Sequence, residues 1–154
     1  MVKEISKYDA RVVAMAVDCD GTVNIIRHHS HGSLGYVPNV EFANTTRKLV
    51  EAVKDMVDDS VSVKDRQVQG RNCKRGYYIN WRSLDDVYII LTQIRPYLIR
   101  KGEVADVVMD FCEIRLEKLQ KDYHAPYDEE ERKLYECARE LNMKGIAGYP
   151  GTAV

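Results

Sequence analysis

VVAMAVDCDGTV, residues 12–23, decides the fold, because it supports two incompatible readings. Val12 to Val17 is an unbroken apolar run, Asp18 and Asp20 stand one residue apart, and Gly21 ends whatever precedes it. A short apolar run is equally a buried strand or a segment of buried helix. As a strand it delivers Asp18 as a nucleophile. As a helix it carries Asp20 to its C-terminal end, where a carboxylate can hold a metal ion.

The neighbouring sequence leans towards the helix. Ser6, Lys7, Tyr8 and Asp9 supply cap-type residues just ahead of the run. Residues 22–30 (TVNIIRHHS) and 36–44 (YVPNVEFAN) are β-rich and flank a Gly-containing turn at His31–Gly35, which predicts a hairpin. Pro38 predicts that this part of the second strand lacks a partner on its N–H side. From Thr46 the period becomes helical, with Leu49, Val50, Val53, Met56 and Val57 at three- and four-residue steps. Val61 and Val63, then Tyr77, Ile79 and Trp81, alternate with polar residues around a turn at 70–74, a second hairpin. Ser83 caps a further helix, with Asp85 and Asp86 in its first turn. Residues 103–122 predict a long helix, Pro126 breaks it, and Asp128–Glu131 open a last helix to about Asn142. The expected organisation is one domain over 1–142 and a Gly/Pro-containing tail over 143–154.

At 154 residues and 45% hydrophobic content, the chain can bury a core of its own. It has no run of eighteen apolar residues, and Met1–Arg11 lacks the apolar centre of a secretory signal. Cys19, Cys73, Cys112 and Cys137 form no CxxC pair, which favours reduced thiols over a disulfide frame or zinc site. The expected location is the prokaryotic cytoplasm or an organelle. The net charge of −1 hides a polarised chain: residues 61–101 carry nine Lys/Arg against three Asp/Glu, while residues 102–154 carry seven against twelve. A basic middle segment is the footprint expected for a phosphate-bearing partner.

Two families resemble the opening motif. AVDCDGTV is similar to the DxDGT motif of haloacid-dehalogenase-type phosphatases, in which Asp18 would be the nucleophile and Asp20 the acid/base. Those enzymes need a doubly wound parallel sheet, whereas the later strands here alternate as half-polar hairpin partners. The wider resemblance, over roughly residues 8–115, is to the LAGLIDADG homing endonucleases. Their nine-residue motif corresponds to Val13–Gly21, and a later Pro-aromatic-Leu and lysine to Pro96, Tyr97, Leu98 and Lys101. The family's small third residue is Met15 here, and its fourth, usually Leu, is Ala16. This resemblance implies an α+β, αββαββα fold with a curved antiparallel DNA-binding sheet, plus C-terminal helices.

It also implies a chemistry. One motif copy supplies half an active site, so the expected protein is a homodimer joined through Val13, Ala14, Ala16 and Val17. It cleaves a long, near-palindromic duplex in the manner of an intron-homing nuclease. Asp20 is the implied metal ligand, with the Cys19 carbonyl as a second oxygen and Asp18 as second choice. The metal is Mg2+, or another divalent ion such as Mn2+ or Ca2+. Lys101 matches the catalytic lysine, Asn44 a polar residue that orders solvent, and Arg47 or Lys48 a further cation.

Strand alternation assigns Asn24, Ile26, His28, Ser30, Asn39, Glu41, Ser62, Lys64, Arg66, Tyr78, Asn80 and Arg82 to the DNA side. Arg71, Lys74 and Arg75 fall at the turn near phosphates. His28, His29 and His31 invite a metal site, but only His29 and His31 share a strand face. They read as hairpin-tip residues. An RNA-splicing maturase, or a DNA-binding repressor of the same fold, is the alternative function.

Overall fold

Ser6 opens the first helix, its Oγ accepting the Asp9 N–H at 3.1 Å. The computed structural model describes residues 1–66 and 75–147. Helix α1 (Lys7–Asp20) turns Ala10, Val13, Ala14 and Val17 inward, so the opening run is helical and the strand reading of Asp18 fails. Gly21 ends α1 by donating its N–H to Val17 O. A Cβ there would lie 2.7 Å from Val17 Cα and 2.9 Å from Glu41 O, so close backbone approach demands glycine.

Strands β1 (Gly21–Ser30) and β2 (Ser33–Asn44) follow as an antiparallel pair. Their turn is tighter than predicted. His31 (φ 50°) and Gly32 (φ 79°) alone reverse the chain, a left-handed pair whose twist suits a two-residue hairpin. Helix α2 (Arg47–Val57), β3 (Lys64–Arg66), β4 (Gly76–Trp81) and α3 (Leu84–Ile94) come next. A 3₁₀ turn over Arg95–Tyr97 leads to α4 (Gly102–Lys121) and α5 (Glu129–Ala147). Strand β3 is shorter than the predicted 61–66, and α5 continues through the first residues of the expected tail. Among the described residues, no helix is long and apolar enough to cross a membrane.

The sheet order is β1-β2-β4-β3, with every pairing antiparallel. This excludes the doubly wound parallel sheet of the phosphatase reading. Pro38 pairs with Ile25 at a point that β4 does not reach, since β2 meets β4 only from Val40 onward. One face of the sheet carries Val23, Ile25, Val40, Phe42, Ile79 and Trp81, all buried beneath the helices. Helix α5 is held by a reciprocal cap: Asp128 Oδ1 accepts the Glu131 N–H and Glu131 Oε2 the Asp128 N–H. Fully buried Glu131 also meets Arg115 at 3.3 Å. Farther along, Asn142 Nδ2 donates to Val23 O at 3.1 Å and so occupies a carbonyl of the edge strand β1.

Buried Asp58 ties the α2 end to the sheet by accepting from Ser60 N, Ser60 Oγ and the Trp81 indole. Burial alone would raise its pKa, but these donors and the chain amino group hold it down at about 2. A carboxylate depressed from 3.8 to about 2 stabilises the fold above pH 4 and loses that contribution as pH falls through this window. Urea unfolding at pH 6 and pH 2.5 is expected to show a loss of about 2 kcal/mol from this group. The Asp58→Asn protein should lack that part of the pH dependence.

Candidate active site and nucleic-acid interface

The two acids of the opening motif lie on different sides of α1, because two residues advance a helix by roughly 200°. Asp18 is 6% exposed and points at the segment before α4. Its Oδ2 accepts the Ile99 N–H at 2.7 Å, and its Oδ1 accepts from Arg100 N at 3.2 Å and Lys101 N at 2.9 Å. Both oxygens are thus committed to backbone, which removes Asp18 as a second-choice metal ligand. Lys101 completes a reciprocal exchange, its Nζ donating to Val17 O at 2.9 Å and Asp18 O at 2.7 Å. Burial pushes the Lys101 ammonium below its ordinary range, and neighbouring Arg100 acts in the same direction.

Asp20 is exposed, and its Oδ2 accepts from Asn44 Nδ2 at 3.1 Å. Asn44 is itself oriented by the Thr46 N–H, which donates to its Oδ1 at 2.8 Å. The structure therefore brings Asp20, Asn44 and Lys101 to one end of α1. Cys19 O lies in the last turn, where carbonyls have no intrahelical donor, while the Cys19 thiol lies 3.9 Å from Met15 Sδ. Beside them is a cleft of about 460 Å³, lined in part by Cys19, Thr22, Asn24, Lys101 and Asn142. Arg47 is held by Glu51 at 2.8 Å and lies over the Tyr77 ring, and Lys48 is exposed.

The available oxygens are those a hard divalent cation takes: one carboxylate and helix-terminal carbonyls. Among the described residues, no three His, Cys, Asp or Glu side chains gather into a metal cluster, the hairpin-tip histidines included. His28 packs instead on Gly35, where a Cβ would stand 2.7 Å from its ring.

Of the four expected interface residues, Val13, Ala14 and Val17 are spent on the chain's own core. The exposed stripe of α1 is Tyr8, Val12, Met15 and Cys19, with half-buried Ala16 at its margin. Leu49 of α2 continues it. The spacing of four, three and four residues is a helical stripe that apolarity alone could not separate from the buried one.

The other face of the sheet is polar, as alternation predicts. Asn39 Nδ2 donates to Asn24 Oδ1 at 3.0 Å and Arg82 Nε to Asn39 Oδ1 at 3.5 Å. Lys64 Nζ donates to Asn80 Oδ1 at 2.9 Å, and Arg66 Nη2 pairs with Glu41 at 2.6 Å. The Arg66 guanidinium and Lys64 ammonium lie over Tyr78, 4.7 and 5.7 Å from its ring centre. Asn39 is only 3% exposed, so it supports its neighbours and is not itself a contact residue. Ile26 shares this face, His28 and Ser30 extend it to the hairpin tip, and Ser62 lies exposed ahead of β3. Arg75 pairs with Asp65, while Arg71 and Lys74 lie outside the described residues.

No family model matches the sequence, and no curated protein matches it. Solved structures do. The homing endonuclease I-CvuI, in complex with an uncleaved DNA target in 2 mM Mg, superposes with TM-score 0.62 at 14% identity, over 96% of this chain and 86% of its own. The archaeal intron-encoded endonuclease I-Vdi141I, complexed with DNA, gives 0.60 at 8% identity over 88% and 98%. The LAGLIDADG homing endonuclease I-GzeII, with its DNA target, gives 0.59 at 17% over 90% of this chain but only 44% of its own. The fold is that of the LAGLIDADG homing endonucleases.

Within this homing-endonuclease fold, the Asp18 contacts bind α1 to the segment that carries Lys101. An Asp18→Asn side chain has one acceptor oxygen and must set its NH₂ against a backbone N–H. The expected cost is roughly 1–3 kcal/mol, measured by urea unfolding at neutral pH. An unchanged midpoint would show that these contacts do not stabilise the fold.

Proposed function

We propose that this chain is one half of a site-specific, divalent-metal-dependent endonuclease that hydrolyses both strands of duplex DNA as a homodimer. The observation that carries the reading is the placement of Asp20. It stands at the end of α1, beside the polar sheet face and beside an apolar stripe that none of the described residues covers. A twofold partner seated on Tyr8, Val12, Met15, Ala16 and Leu49 would bring a second Asp20 towards the first. The share of I-GzeII that this chain spans, 44%, supports the same reading, since that endonuclease is long enough to hold two such units.

The sheet face carries Lys64, Arg66 and Arg82 in a form that suits a β-surface in the major groove. A twofold protein implies a near-palindromic site. Mg2+ or a similar ion would be held by Asp20 and the Cys19 carbonyl. When bound, it supplies an activated water and stabilises the leaving oxygen. The structures of I-CvuI with Mg and of I-SmaMI with calcium ions on uncleaved DNA support that choice of ion. Asn44 orients the free carboxylate. Lys101, with two of its three N–H groups on helix carbonyls, retains one for the phosphate charge. Intron homing is the corresponding biological role, as in intron-encoded I-Vdi141I and I-CeuI.

Asp20→Asn is expected to abolish duplex cleavage in Mg2+ while leaving duplex binding in Ca2+ largely intact. A variant that still cleaves would remove the metal-ligand assignment. A wild type that binds duplex and never cleaves it would favour a binding protein, and cleavage of simple phosphate esters alone would exclude a DNA enzyme.

Met15→Glu places a charge in the centre of the uncovered stripe. Sedimentation at micromolar concentration should show a wild-type dimer and a monomeric, inactive variant. A monomeric wild type that cleaves both strands would contradict the shared site.

A further inference from the structure

The hydrogen bonds across the polar sheet face determine which atoms of its amides remain to meet a base. A lysine ammonium has three N–H groups and no lone pair, so the Asn80 atom 2.9 Å from Lys64 Nζ is the amide oxygen. An arginine is likewise a pure donor. The Asn39 atom facing Arg82 Nε is therefore its oxygen, which leaves Asn39 Nδ2 to face Asn24. That makes Oδ1 the Asn24 atom at 3.0 Å. All three amide orientations thus follow from the chemistry of the cations.

The consequence concerns bases. A free asparagine reads adenine by accepting from N6 and donating to N7. In Asn24 and Asn80 one of the two lone pairs of the accepting oxygen already holds a donor, which fixes the amide's orientation and crowds its accepting edge. At Asn80 that donor is a full positive charge that repels an exocyclic amine. Glu41, the acid on this face, is paired with Arg66. What Asn24, Asn80, Lys64, Arg66 and Arg82 then offer a base is chiefly donor capacity: the amide N–H groups and the cations. Guanine offers two major-groove acceptors, O6 and N7, thymine offers O4, and adenine and cytosine each present an amine.

We propose that Lys64, and Arg82 acting through Asn39, lock Asn80 and Asn24 as donors, so that each half-site carries guanine where these amides enter the groove. The inference rests on the reading of this face as a DNA surface. It makes Lys64 and Arg82 positioning residues for specificity, and it assigns Asn39 a role although it is buried.

The test is selection of bound members from a randomised duplex library, with the full chain in Ca2+, for wild type, Lys64→Met, Lys64→Arg and Arg82→Met. Wild type should enrich guanine at two positions per half-site. Lys64→Met should shift one of them towards adenine by about tenfold in relative affinity, and Arg82→Met should shift the other. Lys64→Arg retains a pure donor and should keep guanine. Adenine in the wild-type site, or variants that lose affinity evenly at all positions, would overturn the lock, the latter marking these cations as phosphate contacts. A wild type that enriches no duplex would instead remove the DNA reading itself, and the lock with it.

Discussion

The exchange between the end of α1 and the start of α4 sets the geometry of the candidate site. A helix C-terminus leaves carbonyls without donors, and the approach to a helix N-terminus leaves N–H groups without acceptors. Here each end answers the other. The Asp18 carboxylate takes three backbone N–H groups from residues 99–101, and the Lys101 ammonium gives to Asp18 O and also to Val17 O, which accepts the Gly21 N–H as well. The charges also suit the two dipoles, an anion before α4 and a cation after α1. One result is that Lys101 cannot move without α1. Another is that Asp20, two residues beyond Asp18, is carried by a helix end that is itself held in place.

From that end the chain enters β1 directly, so the sheet inherits its position from the same joint. Gly21 lies against Val17 and against Glu41 O of β2, which leaves no room for a side chain between helix and sheet. Asn44, at the far end of β2, then returns to Asp20. The polar face begins one residue after this junction, with Thr22 opposite Glu41 and Asn24 opposite Asn39. Asp20, Asn44 and the β1–β2 part of the polar face are thereby placed by one continuous stretch of backbone, which suits the proposed activity of cutting at a fixed distance from a read sequence.

The strands are more legible in the sequence than the helix that precedes them. A period of two leaves only two choices of face, and Val23, Ile25, Phe42, Ile79 and Trp81 declare the buried one. Helix α1 offers no such contrast. Val12, Met15 and Ala16 are as apolar as Val13, Ala14 and Val17, so the sequence alone cannot say which set is inside and which remains open. Tyr8 and Cys19, at compatible spacing, are the weak signal that marks the open side. The division of labour between Asp18 and Asp20 is hidden for a different reason. It depends on residues 99–101, more than eighty positions away, and no local pattern announces that contact. Asn39 illustrates the same limit, because alternation gives its face but not its depth.

Net charge is a poor guide to this surface because many charges of the helices are paired with one another, away from the polar face. Arg115 is paired with Glu131, Lys118 with Asp128, Arg132 with Glu129, and Arg95 with Asp106. The acidic end of the sequence is spent largely inside α4 and α5, on the side of the sheet away from the polar face. Charges separated by more than about 8 Å of physiological saline are largely screened from one another. A polyanion approaching Lys64, Arg66 and Arg82 therefore responds to these cations and to the Glu41 beside them, and much less to the acids behind the sheet. Because Glu41 is already paired with Arg66, its charge orients a cation as well as opposing the anion. A chain with a formal charge of −1 can in this way present a surface suited to phosphate.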